Sequence, residues 1–162
     1  MRAADRPSFD EWARARQRSL VRSAYLLTGD FQRAEDLVQE ALVRAATRWD
    51  RLRDGNPDAW VRTVVYREHV SWWRRRRREV LVDAVPETAA YDAPVLTDRA
   101  LVAALARLTW SQRAVLLLRF AEDLSVAETA AVLGVTDGTV KRQTSVALAH
   151  LREQGADLVE ER

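Results

Sequence analysis

Residues 80–97 divide this chain, and the division limits what it can fold into. The stretch holds Pro86 and Pro94, two of only four prolines, among alanines and acids, with no helical period. It reads as a flexible acidic linker. Residues 1–79 and 98–162 remain on either side, and each is sized for one small domain.

Both flanking segments read as helix throughout. Ser8 and Glu11 are spaced as a capping box that opens a helix running to about Leu27, where Thr28-Gly29 ends it. Asp30 caps a second helix whose stripe Ala34, Leu37, Val38, Ala41, Leu42 and Ala45 has helical spacing. Asn56-Pro57 is a cap followed by proline at the first helical position, and the helix it opens should run to about Arg78. Beyond the linker, four short helices are expected at about Asp98–Arg107, Trp110–Ala121, Val126–Leu133 and Asp137–Glu153. Thr109 with Gln112 and Ser125 with Glu128 are further capping boxes, Thr136 caps the last helix, and Gly155 is the expected stop. The fold class is therefore all-α: two small helical domains, 8–79 and 98–153, joined by the linker.

Composition removes several function classes. The chain has no cysteine and two histidines, His69 and His150, which excludes thiolate chemistry and disfavours histidine metal sites and most triads. No run approaches the length of a membrane span, and Met1–Arg18 lacks the apolar core of a signal peptide. A cytoplasmic location is the simplest expectation. Neither a metal nor another cofactor is expected.

Charge is informative through its distribution. Residues 1–80 carry 18 arginines and 12 acids, residues 81–98 carry four acids and no base, and residues 99–162 carry eight of each. Of 26 basic residues only Lys141 is lysine, a bias that fits a GC-rich coding genome. Clustering, not arginine content, is the signal.

Two clusters stand out. The segment Val126–Ser145 has helix-turn-helix grammar: Ala130 where helices approach closely, Gly134 at the turn, and Val135 and Val140 as plugs above Leu133. Thr139, Lys141, Arg142, Gln143 and Ser145 lie early on the second helix, where such a helix contacts the major groove. A plain helical hairpin is the alternative. The second cluster is the helix opened by Pro57. A wheel places Trp60, Val61, Val64, Val65 and Trp72 on a core arc, and Arg62, Tyr66, Arg67, His69, Trp73 and Arg74 on an exposed one. Aromatic rings interleaved with arginine suit single-stranded or opening nucleic acid, and Arg74–Arg78 extends the positive field. On the preceding helix, Asp36, Gln39 and Glu40 share one face. The two acids fit a Mg²⁺ site poorly, since no further ligands accompany them; Glu35 and Asp36 complementing the helix dipole, and a protein-docking face, are the other readings.

The strings AYLLTGD (24–30), AEDLVQEAL (34–42), SWWRRRRRE (71–79) and LSVAETAAVLGVTDGTVKRQTS (124–145) resemble, in this order, the extracytoplasmic-function sigma factors of bacterial RNA polymerase, in particular the short actinobacterial SigE-like type. The resemblance implies a sigma region 2-like bundle and a region 4-like helix-turn-helix. It implies that Asp36, Gln39 and Glu40 dock on the clamp helices of the large polymerase subunit. It assigns recognition and melting of the −10 element to the loop Trp49–Asn56, with Trp49, Arg51, Arg53 and Asn56, and to Arg62, Tyr66, Trp73, Arg74 and Arg75. Thr139, Lys141, Arg142, Gln143 and Ser145 would read the −35 element. The acidic linker would thread the RNA-exit region, and an anti-sigma factor is a further partner implied by resemblance. Two positions depart from the family pattern: Arg67 stands where asparagine is frequent, and Val146 where arginine is common.

A promoter-specificity subunit without catalysis of its own is the function these features imply. A polymerase-independent helix-turn-helix regulator leaves the Trp-Arg helix and the DLVQEAL face unexplained, and most such regulators dimerise on palindromes. A metal-dependent nuclease using Asp36 and Glu40 lacks further acidic or histidine ligands.

Overall fold

A computed structural model describes residues 7–79 and 99–160, with side chains placed over 7–76 and 99–155. The linker expected at 80–97 lies outside the described residues. The described helices fall into two compact units.

The first unit holds α1 (Phe9–Thr28), α2 (Phe31–Thr47), the short α3 (Trp49–Leu52) and α4 (Pro57–Glu79). Ser8 Oγ accepts the Glu11 backbone N–H at 3.3 Å while Glu11 returns a carboxylate to the Ser8 N–H at 3.1 Å. These bonds satisfy two donors that a helix start otherwise leaves open. Gly29 ends α1 at φ 69°, a left-handed conformation that favours glycine. The chain then turns at once into α2, where Asp30 Oδ1 accepts the Arg33 N–H at 3.1 Å.

Helix α2 is the centre of this unit and packs against both α1 and α4. All six residues of its expected stripe are buried, and Ala34, Ala41 and Ala45 have no exposed surface. Alanine at these positions lets neighbouring helices approach closely. At the entrance of α1, Phe9, Trp12 and Trp49 form an aromatic cluster, with the two indoles 5.1 Å apart and Phe9 edge-on to Trp49 at 5.6 Å. This cluster explains α3, which lay within the expected loop: burying Trp49 turns the chain after α2 into one more helical turn.

The second unit holds α5 (Arg99–Ala106), α6 (Trp110–Leu116), α7 (Val126–Leu133) and α8 (Asp137–Glu160). Both expected capping boxes form: the Gln112 N–H reaches Thr109 Oγ1 at 3.3 Å, and the Glu128 N–H reaches Ser125 Oγ at 3.0 Å. Leu105, Leu108, Val115, Leu118, Leu133, Val140 and Ala147 are among the residues forming its core. Arg113 lies against this core and donates from Nε to the Leu105 carbonyl at 2.9 Å. Burial lowers its pKa from the usual arginine value.

Two expectations need correction here. The helix from Trp110 does reach Ala121, but its last five residues, Leu117–Ala121, form a wider π-helical turn. The returning chain takes part in that turn, since the Leu124 N–H bonds to the Leu118 carbonyl at 2.9 Å and Arg119 Nη1 to the Leu124 carbonyl at 2.6 Å. The other concerns Gly155, the expected stop; α8 continues through it to Glu160. Glycine within a helix costs only about 1 kcal/mol relative to alanine and does not by itself end one.

Candidate polymerase and nucleic-acid interfaces

The outer face of α2 carries Asp36, Gln39 and Glu40, all exposed. Each carboxylate already has an intramolecular partner. Asp36 Oδ1 accepts from Gln32 Nε2 at 3.2 Å, and Glu40 Oε1 from Arg44 Nη2 at 2.7 Å. Arg44 also reaches Glu68 on α4 through Nη1 at 3.0 Å, so it ties α2 to α4 beneath the acidic face. The Glu68 hydrogen bond and charge, with help from Glu40, raise the Arg44 pKa. Val43 extends the same face by one turn and is 63% exposed. Sequence reasoning missed it, although a valine standing off the buried stripe was the available signal.

Helix α4 corrects the expected wheel. Its buried residues are Val61, Val65, Tyr66, His69 and Val70. Tyr66, expected on the exposed arc, is only 3% exposed, and His69 only 2%. Trp60 and Trp72, expected in the core, are half-buried at its margin. The physical reason is that α4 carries large rings on both sides, so amphipathicity alone does not orient it. Packing on α2 selects the slimmer Val61–Val65–His69 ridge. The two indoles are covered by arginines, Arg33 at 3.8 Å and Arg76 at 4.9 Å from the Trp72 centroid, and Arg48 at 5.7 Å from Trp60. Guanidinium over an indole face is a favourable cation–π arrangement. Trp49, which the resemblance assigns to the −10 element, is only 8% exposed within its aromatic cluster.

The remaining candidates of this unit lie at or near the surface. Arg51, Asn56, Arg74 and Arg75 are exposed, while Arg53, Arg62 and Trp73 are half-buried. Asn56 Oδ1 is engaged as the cap of α4, accepting the Ala59 N–H at 3.0 Å. Trp73 Nε1 donates to His69 Nε2 at 2.9 Å, which fixes that ring against the helix. Arg33, Arg48 and Arg76 were not among the expected site residues. Nothing in the sequence reports that Arg33 on α2 meets Trp72 on α4, because only packing brings them together.

In the second unit, α7 and α8 form the expected helix-turn-helix. Gly134 takes φ 67°, and the Val135 N–H returns to the Ala130 carbonyl at 3.1 Å. Val140 is fully buried and Val135 half-buried, so both plugs face inward to different depths. Lys141, Arg142 and Ser145 are exposed, and Thr139 and Gln143 half-buried. The hydroxyls of Thr136 and Thr139 lie 3.0 Å apart at the start of the helix. Spacing of three and four places Thr139, Arg142, Gln143 and Val146 on one face, with Val146 38% exposed.

Comparison with known proteins agrees with this arrangement. The family described as sigma-70 region 2 matches residues 12–79, and sigma-70 region 4 matches residues 98–151. The RNA polymerase sigma-E factor of Streptomyces avermitilis is 42% identical over 150 residues, spanning 90% of this chain and 84% of the relative. The ECF RNA polymerase sigma factor SigM of Mycobacterium tuberculosis is 33% identical over 153 residues, covering 92% of this chain and 78% of that one. Among solved structures, the sigma factor RpoE in complex with the anti-sigma factor NepR from Bartonella quintana superposes with a TM-score of 0.65 at 31% identity, over 90% of this chain and 94% of that one. CnrH in complex with the cytosolic domain of CnrY shares the fold at a TM-score of 0.59 and 22% identity, over 92% of this chain and 88% of that one. With region 2 and region 4 present in that order and relatives of this similarity along most of its length, the chain belongs to the extracytoplasmic-function sigma factors, which bind core RNA polymerase and direct it to promoters.

Proposed function

We propose a division of labour between the two units. Residues 8–79 dock on the clamp helices of the large polymerase subunit through Asp36, Gln39 and Glu40, and recognise and melt the −10 element. Arg51, Arg53 and Asn56 before α4, and Arg62, Trp73, Arg74 and Arg75 along it, face that DNA. Trp49 and Tyr66 support this surface from within the core. Residues 98–153 read the −35 element through Thr139, Lys141, Arg142, Gln143 and Ser145 on α8. Residues 80–97 supply the acidic segment that threads the RNA-exit region.

The observation that carries this reading is the presence, in one chain, of two family-matched units that each expose cations on a helix suited to DNA. Arginines beside a ring on α4 suit unpaired bases, whereas the early residues of α8 suit the major groove. A polymerase-independent regulator would have no use for the first. The chain acts without catalysis of its own, in the cytoplasm where the polymerase works. Among the described residues no helix is long and apolar enough to cross a membrane. Two structural relatives are described in complexes with an anti-sigma factor and with a cytosolic domain, which supports a separate inhibitor for this chain as well.

The test is selection from a DNA library randomised over both promoter elements, using core polymerase alone, this protein alone and the two together. Run-off transcripts from an enriched sequence are expected only when both are present. Equal enrichment by the free protein would instead make it a polymerase-independent regulator.

A further inference from the structure

Trp72 is engaged by side chains from two helices. The Arg33 guanidinium of α2 lies 3.8 Å from its ring centroid, and Arg76, one turn further along α4, lies 4.9 Å away. His69 stacks almost parallel to the same indole, at 5.9 Å and 13°. With two guanidiniums and an imidazole against it, Trp72 is a platform for cations and not for a nucleobase. Trp73 stands edge-on beside it, 5.2 Å away at 82°.

The cations on this platform make no ion pair among the described residues. Arg33 is half-buried, and its Nε is buried without a hydrogen-bond partner. The two nearby acids act on Arg33 only through their charge: Asp30 Oδ1 caps the helix, and Asp36 accepts from Gln32. Among the described residues no carboxylate forms an ion pair with Arg33. Burial lowers the Arg33 pKa, and Arg75 and Arg76 lower it further, while Asp30 and Asp36 oppose the shift. Two guanidiniums from two helices, Arg33 and Arg76, thus share one partly desolvated ring. An anion with several acceptor oxygens would relieve their repulsion, and guanidinium groups match phosphate geometry.

We propose that Arg33 and Arg76, oriented on Trp72, form a phosphate seat for the DNA backbone, beside the ring of Trp73 that faces the opening bases. The seat rests on the reading that α4 faces the −10 element, and it adds an arm from α2 to that surface. A backbone phosphate held here would fix the strand next to the base that Trp73 meets. The seat has its cation on the helix that also presents the polymerase-docking face, so both contacts share one rigid element.

The test uses holoenzyme and the promoter fragment that the wild-type holoenzyme selects from the randomised library, with affinity measured between 50 and 200 mM KCl. Arg33→Gln is expected to flatten the log–log salt slope by about 0.9 for a contact to duplex, or about 0.7 for unpaired strand, while core affinity stays unchanged and the protein remains fully folded at the assay temperature. Over that salt range the change amounts to about threefold in relative affinity. Arg76→Gln, nearer the end of α4, should flatten the slope similarly, and Trp72→Leu should exceed either alone because it releases both guanidiniums. Unchanged slopes in both arginine variants overturn the seat while leaving the function above intact. Failure of the wild-type holoenzyme to select any sequence overturns that function and the seat with it. If sodium phosphate raises the melting temperature of the wild type but not of Arg33→Gln, and the promoter slopes match, the site takes free anions and the DNA assignment is wrong. Tighter binding of duplex by free Arg33→Gln protein would make the chain's own acids at 83–98 the occupant, which also overturns it.

Discussion

The indole N–H of Trp73 donates to Nε2 of His69, one helical turn back along α4, at 2.9 Å. An imidazole nitrogen that accepts is unprotonated, so this bond belongs to the neutral ring. His69 is buried and stacked on Trp72, which makes it a fixed post against which Trp73 is oriented. His69→Phe keeps the ring volume and removes the acceptor. It should destabilise the first unit by about 1 kcal/mol in chemical denaturation and reduce promoter opening, read as permanganate reactivity of unpaired thymines. His69→Gln supplies another acceptor and should recover part of the opening. Full opening with His69→Phe would show that Trp73 needs no such post.

Trp49 is a stability residue in the aromatic cluster with Phe9 and Trp12. Trp49→Ala should cost about 3–5 kcal/mol, the usual range for removing a large buried ring, and Trp49→Phe much less. At a temperature where Trp49→Phe is fully folded, its holoenzyme should open promoters as the wild type does. A large opening defect in that folded variant would restore Trp49 as a direct DNA contact.

The docking and reading faces should separate cleanly. Asp36→Ala with Glu40→Ala leaves Arg44 paired to Glu68 at 3.0 Å, so folding should survive while core-polymerase binding weakens. Charged groups at such interfaces are worth roughly 1–3 kcal/mol when well buried and less at the rim. Lys141→Ala with Arg142→Ala should leave core binding unchanged and impair promoter binding by the holoenzyme. If either side chain holds a phosphate, its removal flattens the salt slope by about 0.9. If it reads a base edge, its removal reduces discrimination at one −35 position by roughly 1–3 kcal/mol. Arg142 is the better candidate for guanine because its planar fork suits two acceptors. The assignment fails if core binding follows the basic pair and not the acidic one.

Gly134 gives a test of the turn between α7 and α8. Its φ is 67°, and a Cβ there would meet nothing within 4 Å. Gly134→Ala should therefore cost only the backbone term, about 1–2 kcal/mol, seen as a lowered melting transition of a fragment spanning 99–162. Gly134→Asn should cost less, since asparagine tolerates this conformation better. A fragment that shows no cooperative transition even as wild type would contradict two independently folding units.

Helix identity and most helix starts were legible in the sequence by itself, because they depend on neighbours along the chain. Ser8, Asp30, Asn56, Thr109 and Ser125 each bond to a backbone N–H three residues on, and such spacing survives in one dimension. So did the α2 stripe, whose single apolar face admits one orientation. What only tertiary structure decided is the rotation of α4 and the partners of its rings. Rings on both its sides made two rotations equally amphipathic, and packing against α2 chose the one that buries Tyr66 and His69 and leaves Trp72 to Arg33. The short helix at Trp49 and the π-helical turn at Leu117 belong to the same class. Each is set by contacts or hydrogen bonds that return from elsewhere in the chain, and a local pattern carries no record of them.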